Sequence, residues 1–294
     1  MFNREEEEVK EFKGKVAVIT GAASGIGRAL AERCATEDMK VVLADVEDKA
    51  LEQAEQQLKA EGASVLAVQT DVSKAGDVEL LAKKTLDAFG AVHLLCNNAG
   101  VGSGAITWEC TLADWEWVMG VNLWGTIHGI RTFVPIMIEQ GTECHIVNTA
   151  SAAALVSGPG AVIYRVTKQG IVTLSETLYH ELAMKQVKIK VSVFCPWFVN
   201  TQIMECERNR PQELRNEPDH DTIVKMSPEY QFVHQVLQAG VRSGMSCQKA
   251  TDCVFDAIRE DRFYIFTDPD ALKPKVQLRM EDILLDRNPT FPIL

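Results

Sequence analysis

"KVAVITGAASGIGRAL", residues 15–30, decides how this chain is read. A short apolar run, 15–20, leads into Gly21, Gly25 and Gly27, and the residues after them favour a helix. Without Cβ atoms the backbone can turn tightly and approach a pyrophosphate, which would rest where free N–H groups and the helix dipole favour an anion. Ser24 and Ile26 share this turn and belong to the same candidate cofactor set. The spacing, T-G-x-x-x-G-x-G, is not the familiar G-x-G-x-x-G. Alone it could be a mere turn, but its place between strand and helix points to dinucleotide binding. Asp45 ends the next apolar run, twenty residues beyond Gly25. A carboxylate there would accept hydrogen bonds from a ribose diol and repel a 2′-phosphate, although a strand-end Asp also forms turns. Val46 rather than a basic residue follows it, and Ser24 rather than Arg or Lys precedes Gly25. Both choices favour NAD over NADP.

Outward from the turn, apolar runs at 15–20, 40–45, 64–70, 92–97, 145–150 and 189–195 predict strands. Their nearly unbroken Val, Ile and Leu content suits strands covered on both faces, as in a parallel sheet. Helical patterns near 25–37, 47–62, 74–89, 111–139 and 162–186 alternate with them. The expectation is a doubly wound α/β sheet of Rossmann type, flanked by helices on both faces in a single domain. Residues 201–245 show no clean period and are expected to form a functional or mobile segment. A helix near 247–259, a strand at 262–267 and a helix near 271–285 are expected to close the domain, with 286–294 as a tail.

Composition narrows the function classes. The chain has 294 residues, 46% hydrophobic and 24% charged, with 30 basic against 41 acidic residues and a net charge of −11. That balance disfavours nucleic acid and anionic membrane surfaces. Glu5 to Glu8 read as part of a solvated acidic arm, 1–12. Eight cysteines form no C-x-x-C pair and no zinc-ligand spacing, so free thiols in a reducing cytosol and no metal site are expected. The N-terminus lacks an apolar signal region, and the longest uncharged stretch, 144–164, is interrupted by Asn, Ser, Gly and Pro. A cytoplasmic location without a membrane span is expected.

The glycine turn, "CNNAG" (96–100), Ser151 and "YRVTK" (164–168) occur in one order at mutually consistent intervals. In this the chain resembles the short-chain dehydrogenase/reductase family, strongly over 13–200 and more loosely beyond. The resemblance implies that Tyr164 is a general acid/base and that Lys168 is its electrostatic partner and a ligand of the nicotinamide ribose. It implies that Ser151 polarises the substrate oxygen and that Asn122, in "GVNLWG", fixes a water in a proton relay. Asn98, Ala99 and Gly100 would line the adenosine side, Asp71 and Val72 would bracket adenine, and Pro196, Val199 and Thr201 would hold the carboxamide. Read without the resemblance, Ser151 could cap a strand end, Asn122 could bond backbone, and Asp71 could start a helix. "CPWFVNT" (195–201) departs from the family pattern, with Trp197 where a glycine is usual. That side chain would either face the substrate or pack outward in the lid.

The chemistry implied is hydride transfer between NAD and a secondary alcohol or its ketone or aldehyde. A phenol with pKa about 10 must fall ~3 units, or ~4 kcal/mol, to act near neutrality. A lysine cation ~5 Å away contributes ~3 kcal/mol at an effective dielectric of ~20, and an oxidised nicotinamide can supply most of the rest. Arg165, about 100° around the helix from Tyr164, is expected to take no part. The substrate wall is expected from 101–108, 152–160 and the lid at 201–245. Trp108, Trp197, Ile203, Met204 and Phe232 suggest a hydrophobic or aromatic small molecule, with Arg208, Arg210 and Arg215 as a solvated charged loop or contacts for an acidic group. The resemblance further implies a homodimer or homotetramer through the helices at 111–139 and 162–186. The competing readings are an NADP-dependent carbonyl reductase and a non-catalytic dinucleotide sensor, the latter disfavoured by Ser151, Tyr164 and Lys168 occurring together.

Overall fold

A computed structural model describes residues 12–102, 106–218, 224 and 227–291 of the chain. Seven parallel strands form one sheet in the order β3-β2-β1-β4-β5-β6-β7. They are β1 Val16–Thr20, β2 Lys40–Asp45, β3 Val65–Gln69, β4 Leu94–Asn97, β5 Cys144–Thr149, β6 Ile189–Cys195 and β7 Tyr264–Phe266. The helices are α1 Gly25–Thr36, α2 Asp48–Ala60, α3 Ala75–Phe89, α4 Leu112–Val118, α5 Gly125–Gln140, α6 Val162–Lys185, α7 Pro228–Arg242, α8 Cys247–Arg259 and α9 Pro269–Leu284.

Successive side chains on a strand point to opposite faces, and here each face has its own core. Ala17, Ile19, Val41 and Leu43 pack with Leu30 of α1, Leu58 of α2 and Phe255 of α8. Their neighbours Val16, Val18, Val42 and Ala44 pack with Leu81 of α3, Phe133 of α5 and Leu182 of α6. This two-sided burial is why the strands read as unbroken apolar runs. The chain order reverses between β1 and β4, which opens a crevice at the carboxyl ends of those strands. No helix among the described residues is long and apolar enough to cross a membrane.

Several expected elements change shape. The helix expected over 111–139 is α4, a π-helical stretch at Met119–Trp124, and α5. Its start is a capping box, in which Thr111 Oγ1 accepts from the Asp114 amide at 3.1 Å and Asp114 Oδ2 from the Thr111 amide at 2.8 Å. The irregular segment expected at 201–245 contains short 3₁₀ turns at Ile203–Asn209 and Gln212–Leu214, and then α7. Ser227 caps α7 and Pro228 begins it, a start signal present in the sequence. The strand expected at 262–267 narrows to β7, and the final helix begins earlier than expected because Asp268 caps it at Pro269. The acidic arm lies outside the described residues except for Phe12, whose ring is buried 5.1 Å from that of Phe255.

Candidate active site

A cleft of about 870 Å³ runs over the carboxyl ends of the strands, at the upper end of the ~300–1,000 Å³ usual for ligand sites. At one end lies the glycine turn. A Cβ on Gly21, whose φ is +68°, would come within 2.8 Å of Ala99 Cα, so the turn is pressed against the β4 loop. Gly27 faces away from the cleft, where a Cβ would overlap the Gly21 carbonyl, so it lets α1 pack on the turn. Ser24, Gly25 and Ile26 border the cleft, and no side chain caps the first N–H groups of α1. Uncapped amides beside a glycine cradle fit the pyrophosphate of a dinucleotide.

Asp45 borders the same cleft and also holds the turn, one of the two roles its position suggested. Its carboxylate accepts from the Ala23 amide at 2.9 Å and from the Glu47 amide at 3.0 Å, so it orders the turn and still faces the cavity. Burial pushes its pKa up, opposed by those amides. Asp71 and Val72 also border the cleft; Asp71 accepts from the Ser73 amide at 3.0 Å and pairs with Lys74 at 3.2 Å. Asn98 turns its amide to the Thr20 carbonyl at 3.0 Å and so braces the glycine turn, while Ala99 and Gly100 line the cavity beside it. Pro196, Val199 and Thr201 form the opposite bank, and Thr201 Cγ2 lies 3.4 Å from where a Cβ of Gly25 would be.

At the other end Ser151, Tyr164 and Lys168 share the cavity wall. The Tyr164 phenol and the Ser151 side chain are hydrogen bonded, and Ser151 Oγ also accepts from the Ala153 amide at 3.1 Å. Lys168 Nζ stands 5.6 Å from the Tyr164 ring centre and donates to the Thr149 carbonyl at 2.8 Å. Lys168 is 3% exposed, and burial pushes its pKa down to about 8. Asn122, from the π-helical stretch, is fully buried and clamps the Val101 backbone, accepting from its amide at 2.8 Å and donating to its carbonyl at 3.0 Å. It does not itself border the cleft, but a Cβ on Gly100 would meet Asn122 Oδ1 and Lys168 Nζ at 3.4 Å each. Those two groups therefore converge behind Gly100.

The electrostatics differ from the simple pairwise estimate. In the protein alone, burial pushes the Tyr164 phenol above its usual range, with the Ser151 hydrogen bond pulling the other way. The charge of Arg165 is only a minor influence on the phenol, after burial and the Ser151 hydrogen bond. Its guanidinium folds back over the helix start and donates to the carbonyls of Gly160 (3.2 Å), Ala153 (3.2 Å) and Val156 (2.9 Å). Helical phase gave the direction of its Cβ and not the reach of a long side chain. Burial pushes Cys206, a thiol bordering the cleft, up to about 11, which leaves it protonated at neutral pH.

The expected substrate wall needs correction. Trp108 is 83% exposed and does not reach the cleft; residues 103–105 lie outside the described set. Trp197 does face the cavity, packed against Val156 and Leu272 and edge-on to Phe198 at 5.4 Å. Its φ is not positive, so the position makes no demand for glycine. Ile203, Met204 and Phe232 border the cavity as expected. Arg210 is no solvated charge: it is 5% exposed, paired with Asp114 at 2.7 Å and stacked on Trp117. Arg208 crosses to Glu47 at 2.7 Å, joined there by Asn209 at 2.8 Å. Sequence reasoning gave no hint of this clasp between segments 161 residues apart.

The family model described as short chain dehydrogenase matches residues 15–212. A CLA biosynthesis dehydrogenase/reductase from Lactiplantibacillus plantarum is 34% identical over 286 residues, covering 97% of this chain and 99% of that protein. A 1-deoxy-11-beta-hydroxypentalenate dehydrogenase from Streptomyces arenae is 34% identical over 261 residues, 87% of this chain and 83% of that one. The crystal structure of a short chain dehydrogenase/reductase from Burkholderia phymatum in complex with NAD superposes with a TM-score of 0.92 at 49% identity, covering 97% of this chain and 99% of that one.

Proposed function

The chain belongs to the short-chain dehydrogenase family, and from that premise we propose that it is an NAD-dependent oxidoreductase interconverting a hydrophobic secondary alcohol and its ketone. The observation that carries this reading is the meeting of Ser151, Tyr164 and Lys168 at one end of a cleft whose other end holds the glycine turn and Asp45. The glycine turn and Asp45 at one end and Lys168 at the other would hold a nicotinamide dinucleotide, which would supply the hydride acceptor or donor. Tyr164 takes the hydroxyl proton in oxidation and returns it to the ketone oxygen in reduction. Ser151 donates a hydrogen bond to that same oxygen as charge develops on it. Lys168 keeps a cation near the phenolate, and Asn122 fixes the backbone against which Lys168 rests.

Preference for NAD over NADP rests on two carboxylates at the adenosine end. Asp45 and Glu47 both border the cleft and would repel a 2′-phosphate, while Arg208, which also borders it, is already engaged by Glu47. The NAD-bound relative from Burkholderia phymatum and the hydroxy-substrate name of the Streptomyces relative support the cofactor and the reaction class. An apolar substrate follows from Trp197, Phe198 and Phe232 at the substrate end. A homo-oligomer joined through α4–α5 and α6 accords with the exposure of Trp124 and Val166 there.

The test is nicotinamide absorbance during incubation with a panel of secondary alcohols and ketones, wild type against Tyr164→Phe. The variant should lose about 10²–10⁴-fold in kcat, the usual size of a general acid/base contribution. Turnover equal to wild type would overturn the mechanism, and a kcat/KM higher with NADP than with NAD would overturn the cofactor assignment.

A further inference from the structure

The stretch after α9 does not trail away from the domain. Arg287 and Thr290 fold it back onto Asp282, a carboxylate buried near the end of α9. Asp282 Oδ2 accepts from the Thr290 amide at 2.7 Å, Oδ1 meets Arg287 Nε at 3.1 Å, and the Arg287 amide donates to the Asp282 carbonyl at 2.8 Å. A buried carboxylate satisfied this fully is a fixed anchor and not a passing contact. From it the segment reaches the substrate loop, where Ser157 Oγ donates to the Thr290 carbonyl at 2.7 Å. One residue further, Phe291 borders the cleft while still 45% exposed. A Cβ on Gly158 would stand 3.3 Å from the Phe291 ring and 3.0 Å from Arg165 Nη2, so ring and guanidinium both lie close to the loop at Gly158.

We propose that residues 286–291 form an outer wall of the substrate pocket, and that the Phe291 ring, positioned by Asp282, limits the size of the apolar substituent on the ketone or alcohol. This deepens the dehydrogenase reading and rests on it. The ring borders the same cleft as Trp197 and Phe232, and it is none of the groups proposed to handle hydride and proton. Its removal is expected to change which substrates fit while Ser151, Tyr164 and Lys168 stay in place. A half-exposed aromatic ring can be truncated without emptying the core.

The experiment compares wild type, Phe291→Ala and Asp282→Asn on 4-substituted cyclohexanones from methyl to phenyl. Binding is read by calorimetry with and without NADH, and reduction by absorbance. Phe291→Ala should raise kcat/KM and affinity for the phenyl compound relative to the methyl compound by roughly tenfold, the scale on which apolar pockets discriminate size. NADH affinity should not change. Asp282→Asn should shift the ratio the same way by a smaller factor, with faster hydrogen exchange at the Thr290 amide. A size ratio in Phe291→Ala equal to wild type overturns the wall. Ketones that bind with the expected shift but are never reduced sink the dehydrogenase reading and leave the wall standing. Ketones that bind neither protein overturn both.

Discussion

Tyr164 and Lys168 illustrate what a four-residue spacing can and cannot convey. Their common helix face was legible, and the 5.6 Å between ring and ammonium matches it. What the spacing hid is burial, which moves both groups toward their neutral forms. Lys168 thus holds its charge against the fold's preference. Its pKa is 10.5 in the unfolded chain and about 8 when folded, so a penalty on the order of 3 kcal/mol is present in full below pH 8 and fades as pH rises toward 10.5. Lys168→Met should therefore abolish turnover while gaining up to about 3 kcal/mol at pH 7, less the lost Thr149 bond. Urea unfolding at pH 7 and pH 9.5 checks this, and the gain should shrink at the higher pH. The path of the Arg165 side chain was not legible either, since three carbonyls draw its guanidinium back over the loop that precedes α6.

At the scale of elements, strands and glycine turn were readable because their constraints are local. The glycines at 21 and 27 are required by contacts within one strand–turn–helix unit and the adjoining β4 loop. Within 201–245, α7 was legible too: Ser227 and Pro228 mark its start, and Val233, Leu237 and Val241 recur at helical spacing on the side it turns to the cleft. The 3₁₀ turns before it, at Ile203–Asn209 and Gln212–Leu214, are too short to show such a period. The clasp of Glu47 to Arg208 and Asn209 joins the β2–α2 loop to the 3₁₀ turn at Ile203–Asn209, across the cleft from one bank to the other. Although partial burial works against it, those two partners hold the Glu47 carboxyl below its usual range. Glu47→Gln should speed NADH release, read by stopped-flow fluorescence. The effect should be a few-fold, since a partly exposed ion pair contributes about 1 kcal/mol at most.

Across the whole molecule, alternating side chains feed two cores, which is why the α/β class was evident from apolar runs alone. Polar groups inside that sheet were not evident. His145 of β5 is buried against Ser192 of β6 at 2.8 Å, and burial pulls its pKa down to about 4. The unfolded chain takes up that proton near pH 6.5, so stability is full above 6.5 and falls by an amount on the order of 3 kcal/mol as pH drops toward 4. Denaturant midpoints at pH 7 and pH 4.5 should separate further in wild type than in His145→Gln. The strand order β3-β2-β1-β4-β5-β6-β7 has one more consequence, for a chain emerging from a ribosome. After β1, strands β2 and β3 extend one edge in turn, and β4 to β7 extend the other. No strand has to be threaded between two that are already paired, so the sheet can be assembled in the order in which it is translated.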